Sequence, residues 1–504
     1  MNKPKIKTLG ELKKSGYKPK TVKEEIRENL IKFIQRKQSP FNSILGYEET
    51  VIPDVERALL SRHNILFLGL RGQAKTRMAR EMINLLDEWI PVVAGSEIND
   101  DPLAPISLYA RETIEEKGDE TLVNWLHCSE RYGEKLATPD VSVADLIGDV
   151  DPIKAANMRL SFADERVIHY GIIPRSHRGI FVINELPDLQ ARIQVSLFNI
   201  LQEGDIQIRG FKLRLPLDIM FVFTANPEDY TNRGSIVTPL KDRIASQIVT
   251  HYPKTVEVSK AITAQEADVL QEQLQKVEVP ELCKLLVEQI AMEARKSEYV
   301  DQKSGVSARL TISAYENLVS TAERRALREN QTHTIVRLAD FIGVVPAITG
   351  KIELVYEGEQ EGPQNVAYRL MGQATRTIFT QYFPDPQSFK KAGRDIEKAR
   401  NRVNPYQMII DWFGKGNELV LLQDSSDVVY IQELYKVEGL FGAVKHYYPK
   451  ANEAEMALLM EFLLHGLSEF SLISKKGVEA GGYSFGDILG SMMNMSLSGD
   501  EDEI

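Results

Sequence analysis

Four apolar residues, Ile65-Leu66-Phe67-Leu68, run straight into Gly69-Leu70-Arg71-Gly72-Gln73-Ala74-Lys75-Thr76, and a helical pattern follows. No other stretch limits the fold as strongly. A short, non-alternating apolar run reads as a parallel strand buried on both faces. A Gly-rich turn from such a strand into a helix is the setting of a phosphate-binding loop. Its backbone N–H groups and the helix N-terminus receive phosphate oxygens. Lys75 adds a point charge on the β- and γ-phosphates, and the Thr76 hydroxyl is placed to ligate Mg²⁺. The strict pattern asks for Gly where Ala74 stands. An L-residue held at positive φ costs roughly 1–2 kcal/mol, a sum phosphate contacts can offset.

Similar strands recur at Val123–Leu126, Ile180–Ile183, Ile219–Phe223 and Gln247–Val249, with helical stretches between several of them. The helix after the loop is expected over Thr76–Trp89. Such alternation predicts an α/β domain with a parallel sheet, here over 41–253. Two insertions interrupt it. Residues 145–178 read as a hairpin or helix-plus-hairpin, and 205–215 as a hairpin turning at Gly210. Residues 94–122 look irregular.

Outside this domain, residues 1–20 read as a loose Lys-rich arm. They lead into a helix opened by the capping-box pattern Thr21-Val22-Lys23-Glu24, and together form an N-terminal segment 1–40. A helical domain is expected at 254–346, a mostly helical one at 347–475, and a disordered acidic tail at 476–504. Three or more domains suit 504 residues, given ~150 residues per domain.

Two further strand ends place polar groups where doubly wound sheets bind ligands. In Gly179-Ile180-Phe181-Val182-Ile183-Asn184-Glu185, Asn184 is positioned for the Mg²⁺ water shell. Glu185 is positioned as the base that orients and deprotonates a water. In Phe221-Val222-Phe223-Thr224-Ala225-Asn226-Pro227, Asn226 can bond the γ-phosphate or that water; an Asn-Pro turn is the plainer reading. Arg243, in PLKDRI, suits an arginine finger acting on a neighbouring subunit, or a surface pair with Asp242. Arg309, opening a helix in SARLTISAYE, reaches the phosphates from a lid or is a solvated helix charge.

In order and spacing, these motifs resemble the AAA+ superfamily, in the branch of MoxR ATPases and the ATPase subunit of magnesium chelatase. GLRGQAKT resembles the MoxR form of the loop, which also has Ala before Lys; Arg71 stands where that form has Pro. FVINE resembles the Walker B strand with Asn184 for the usual Asp. FTANPEDY resembles the sensor-1 strand, PLKDRI the finger segment and SARLTISAYE the sensor-2 helix. The insertions resemble the branch's helix-2 insert and pre-sensor-1 hairpin. The resemblance covers about 41–345. It implies a parallel five-stranded sheet between helices, an all-helical lid, and a cofactor pair of ATP and Mg²⁺. The nucleotide would be held by Gly69, Arg71, Gly72, Gln73, Ala74, Lys75, Thr76 and Arg77, with Thr76 and Asn184 at the metal. It implies ATP hydrolysis by a ring, usually a hexamer, that remodels a partner or assists metal or cofactor insertion. It also implies a partner with a von Willebrand factor A domain.

Two other readings stay open: a nucleotide-gated scaffold with little turnover, and a ring motor on DNA. The net charge of −11 weighs against a surface built for nucleic acid. Cys128 and Cys283 have no zinc-site spacing and suggest no disulfide framework. No apolar run approaches the ~18 residues of a bilayer span. The N-terminus lacks the apolar run of a secretory signal, so the cytoplasm is the expected location.

Overall fold

In the computed structural model the described residues are 3–161, 164–207, 214–227, 235–392, 404–478 and 481–488. The chain forms two compact units, Met1–Tyr252 and Pro253–Ile504.

The first unit is built on five strands: β1 (Ile65–Leu68), β2 (Tyr132–Leu136), β3 (Gly179–Asn184), β4 (Ile219–Ala225) and β5 (Ser246–Val249). Their order across the sheet is β5-β1-β4-β3-β2, and every pairing is parallel. Every residue of β3 and β4 is buried. Alternate side chains feed two separate cores. Ile65, Phe67, Ile180, Val182, Met220 and Val222 pack with helices Val22–Gln35 and Val51–Leu60. Leu66, Phe181, Ile183, Phe221 and Phe223 pack with residues of 186–200 and 236–244. Helices therefore cover both faces, which is why the central strands read as unbroken apolar runs.

One strand differs from the sequence expectation. Val123–His127 is not in this sheet but pairs antiparallel with Trp89–Val93. The fifth parallel strand is β2, sequence YGEKL. It lies at the sheet edge, is only half-buried, and so carries charged residues. The helix expected over Thr76–Trp89 also ends early. It is α-helical over Lys75–Glu81 and 3₁₀ over Met82–Leu85, because Trp89 already belongs to a strand. Residues 94–122, expected to be irregular, contain the helix Leu108–Lys117.

The N-terminal arm is not loose. Leu9 and Leu12 are buried. Leu9 N donates to Thr121 O (2.9 Å), Val123 N to Lys7 O (2.9 Å) and Trp125 Nε1 to Ile6 O (2.8 Å). Thr21 and Glu24 form the expected capping box. Both insertions contain hairpin pairing, Gly148–Val150 with Ile168–Tyr170 and Asp205–Gln207 with Arg214–Pro216; the tip 208–213 lies outside the described residues.

In the second unit, helices Glu281–Ala294, Arg309–Arg328, Pro363–Tyr382 and Glu453–Glu469 share one apolar core. That core runs without a break across residue 346. The C-terminal part is not wholly helical: Leu419–Leu422, Ser474–Gly477 and Gly482–Gly486 form an antiparallel sheet. The expected disordered tail thus begins with ordered chain in which Phe485 is fully buried. Residues 489–504 lie outside the described residues. Among the described residues, no helix is long and apolar enough to cross a membrane.

Candidate nucleotide site

Register brings the strand ends to one edge: Leu68 lies beside Ala225 and Val249, Phe223 beside Ile183, and Asn184 beside Leu136. The residues following β1, β3 and β4 are therefore Gly69, Glu185 and Asn226, neighbours in space although far apart in sequence.

Ala74 adopts the left-handed conformation (φ 54°, ψ 18°) directly before the helix. The cost anticipated for a non-Gly residue there is incurred. Gly72 is also at positive φ. Gly69 has a steric reason: a Cβ would lie 2.0 Å from Thr250 Oγ1 and 2.2 Å from Gln73 Oε1. Those two atoms are bonded to each other at 2.7 Å, tying the loop to the residue after β5. Tyr252 OH donates to Arg71 O (2.9 Å), and Tyr47 OH lies 2.9 Å from Gln73 O and 2.7 Å from His251 O. Burial pushes the Tyr47 hydroxyl up to about 12, so it stays a donor at neutral pH. These braces tie the loop to the chain around it.

The Lys75 side chain is buried. Its ammonium donates to Gly69 O, to Leu70 O (3.0 Å) and to Asn226 Oδ1 (2.6 Å). Asn226 Nδ2 donates to Glu185 Oε2 (3.0 Å). Thr76 Oγ1 donates to Asn184 Oδ1 (3.1 Å), which also accepts from Thr224 Oγ1 (3.0 Å). Lys75, Thr76, Asn184, Glu185 and Asn226 thus form one connected cluster. Glu185 itself is in the left-handed region (φ 53°), and its N–H donates to Thr224 Oγ1 (3.1 Å). Strain of this kind concentrates where a side chain must be aimed.

The remaining expected residues stand outside the cluster. Arg77 Nε donates to Ser43 Oγ (2.8 Å). Arg243 does not make the simple Asp242 pair. Its Nε donates to Gln202 Oε1 (3.0 Å), its Nη1 to Pro239 O (2.7 Å), and its guanidinium lies 4.9 Å from the Phe198 ring. Arg309 is exposed at the first turn of its helix in the second unit. Two further residues join the cluster: Glu134, which no motif marked, and Thr224, which lies in the quoted FTANPEDY segment but was given no role. Glu134 Oε1 accepts from Asn184 Nδ2 (2.7 Å). The signal for Thr224 was its place two residues before Asn226.

Two oxygens fit a Mg²⁺ site. Thr76 Oγ1 and Asn184 Oδ1 are 3.1 Å apart, near the ~2.9 Å edge of an octahedron with bonds of about 2.0–2.1 Å, and both are hard oxygen donors.

No family model matches the chain. It is similar to the magnesium-chelatase 38 kDa subunit of Cereibacter sphaeroides, 24% identical over 240 residues, or 46% of this chain and 65% of that protein. The same subunit from Acidiphilium rubrum is 24% identical over 225 residues, 43% of this chain and 60% of that protein. The chain thus spans less than two thirds of the length of these relatives. Among solved structures, the BchI–BchD complex of magnesium chelatase is 20% identical, covering 64% of this chain and 98% of that one, with a TM-score of 0.33.

Proposed function

We propose that this chain, an AAA+ protein of the MoxR and magnesium-chelatase-like branch, binds ATP with Mg²⁺ and hydrolyses it within a ring of its own copies. The carrying observation is the cluster of Lys75, Thr76, Asn184, Glu185 and Asn226 at one sheet edge.

Each step follows from these side chains. The loop's N–H groups and the helix opening at Lys75 receive the phosphates. Lys75 then exchanges contacts such as Gly69 O, Leu70 O and Asn226 Oδ1 for phosphate oxygens. Thr76 and Asn184 would hold Mg²⁺, which would supply positive charge beside the phosphates. Asn226, released from Lys75, is left to bond the γ-phosphate or the water. Glu185 takes the water's proton, a task that suits a half-buried carboxylate at this strand end. Arg243, on the surface helix Thr238–Arg243, is the candidate finger for a neighbouring copy, and Arg309 the candidate lid arginine. Remodelling of a partner, or help in metal insertion with a von Willebrand factor A domain protein, is the downstream work this branch suggests. The second unit is the candidate docking region.

Mixing two inactive variants tests the ring. Arg243→Ala should bind ATP normally but turn it over slowly, and Glu185→Gln should do the same. Mixed rings contain some interfaces with both groups intact, so activity should return. If none returns, the finger in trans is lost. ATP binding without turnover in the wild type would favour a nucleotide-gated scaffold, in line with the neutral Asn184.

A further inference from the structure

We propose that Glu134 is a metal-positioning residue: its carboxylate and the Asn184 amide act as a pair in place of the single carboxylate expected at position 184. This rests on the reading of Thr76 and Asn184 as the Mg²⁺ site.

Glu134 lies on the edge strand β2, in register with Val182 of β3. Its four hydrogen bonds come from three residues. Oε1 accepts from Asn184 Nδ2 (2.7 Å) and Arg80 Nη2 (3.1 Å), and Oε2 from Arg80 Nε (3.0 Å) and Tyr132 OH (3.0 Å). The bond to Asn184 fixes the orientation of that amide. Thr76 and Thr224 present hydroxyls, which can donate or accept. Glu134 presents a carboxylate whose two oxygens both accept. Nδ2 must therefore face Glu134, and Oδ1 must face Thr76 and the metal. In the opposite orientation the NH₂ group, which cannot ligate a cation, would point at the site.

The same bond transfers charge. A carboxylate accepting from a ligand's N–H raises the basicity of the ligating atom, as it does behind metal-bound histidines. Oδ1 of Asn184 thereby recovers part of the negative character that Asp would have supplied. Arg80 sits on the solvent side with 61% of its side chain exposed. Its charge is screened by water, so it does not cancel the carboxylate. Tyr132 is held protonated by burial and by Glu134 itself, so it remains a donor. The arrangement also explains why Asn occupies position 184. Asp there would set two carboxylates about as close as the present 2.7 Å contact, with no proton between them.

The test is the tightening of a fluorescent ADP by Mg²⁺, measured as the ratio of its Kd in EDTA to its Kd in excess Mg²⁺, on the full chain. Glu134→Gln can offer either end of its amide to Asn184. It should lower this ratio about tenfold while leaving the Kd in EDTA within twofold of wild type. The double variant Glu134→Gln/Asn184→Asp moves the carboxylate onto the metal and should restore the ratio. An unchanged ratio in Glu134→Gln overturns the proposal. So does an equal loss in EDTA, which would make Glu134 a brace of the loop, or a double variant no better than the single one. A wild type that binds no nucleotide would instead remove the ATPase reading itself.

Discussion

Each unit carries a buried polar cluster, and the two are balanced differently. In the second unit Arg325 meets Asp340 (3.0 Å) and Asp427 (3.1 Å), and Arg337 meets Asp427 and lies 4.2 Å from the Tyr430 ring. Glu461 accepts from Tyr430 OH (2.7 Å) and from the N–H groups of Leu338 (2.8 Å) and Ala339 (2.9 Å). Charge there faces opposite charge, and the cluster ties helix Arg309–Arg328 to the helix of Glu461. At the sheet edge of the first unit, Lys75 donates to Gly69 O, Leu70 O and Asn226 Oδ1, and Asn226 in turn meets Glu185. Carbonyl and amide oxygens hold a cation in place but can yield it to a phosphate. The cluster of the second unit ties helices together; that of the first gathers at one sheet edge the side chains proposed to meet a nucleotide.

The sharpest break of this comparison is Arg325→Ala. Leaving Asp340 buried without its partner should cost about 3–5 kcal/mol, read as a large fall in denaturant midpoint, with nucleotide affinity of the folded protein unchanged. Altered nucleotide affinity would mean the two clusters are not independent. Lys75→Ala should do the reverse. It removes charge-assisted bonds worth about 3 kcal/mol, so ATP binding should weaken at least ~100-fold with little change in melting. A variant that bound ATP like wild type would end the phosphate-loop assignment. Gly69→Ala is a smaller probe. Its methyl must break the Gln73–Thr250 bond, costing about 1 kcal/mol and roughly fivefold in ATP affinity.

The pH dependence sharpens the second unit's side. Burial raises Glu461 from 4.5 to about 7, so between those values the folded state holds a proton that the unfolded state has released. Its contribution to stability is full below pH 4.5 and is lost as pH rises toward 7. Burial lowers the nearby His465, which acts in the opposite sense below pH 6.5. The difference between wild type and Glu461→Gln isolates Glu461: the variant's advantage in melting temperature should grow from pH 5 to pH 8. An advantage that shrinks over that range would contradict the sign.

The buried centre of the first unit was legible because strands buried on both faces leave unbroken apolar runs, and the loop's glycines sit between one such run and a helix. The edge was not. Tyr132–Leu136 has Glu and Lys because its outer side meets water, and the more apolar Val123–Leu126 took its place in the sequence reading. Glu134 was missed for the same reason: it follows no apolar run and belongs to no spaced motif. The docked N-terminal arm was hidden by its lysines, since only Ile6, Leu9, Leu12 and Tyr17 betray an inner side. In the second unit, one core shared across residue 346 depends on contacts between distant helices, which local periodicity does not record.

Steady-state phosphate release from ATP and Mg²⁺, for wild type beside Glu185→Gln over a series of protein concentrations, tests the central claim most directly. A ring ATPase with Glu185 as base predicts turnover per chain that rises with concentration and vanishes in the variant. Equal turnover in the two proteins would contradict it.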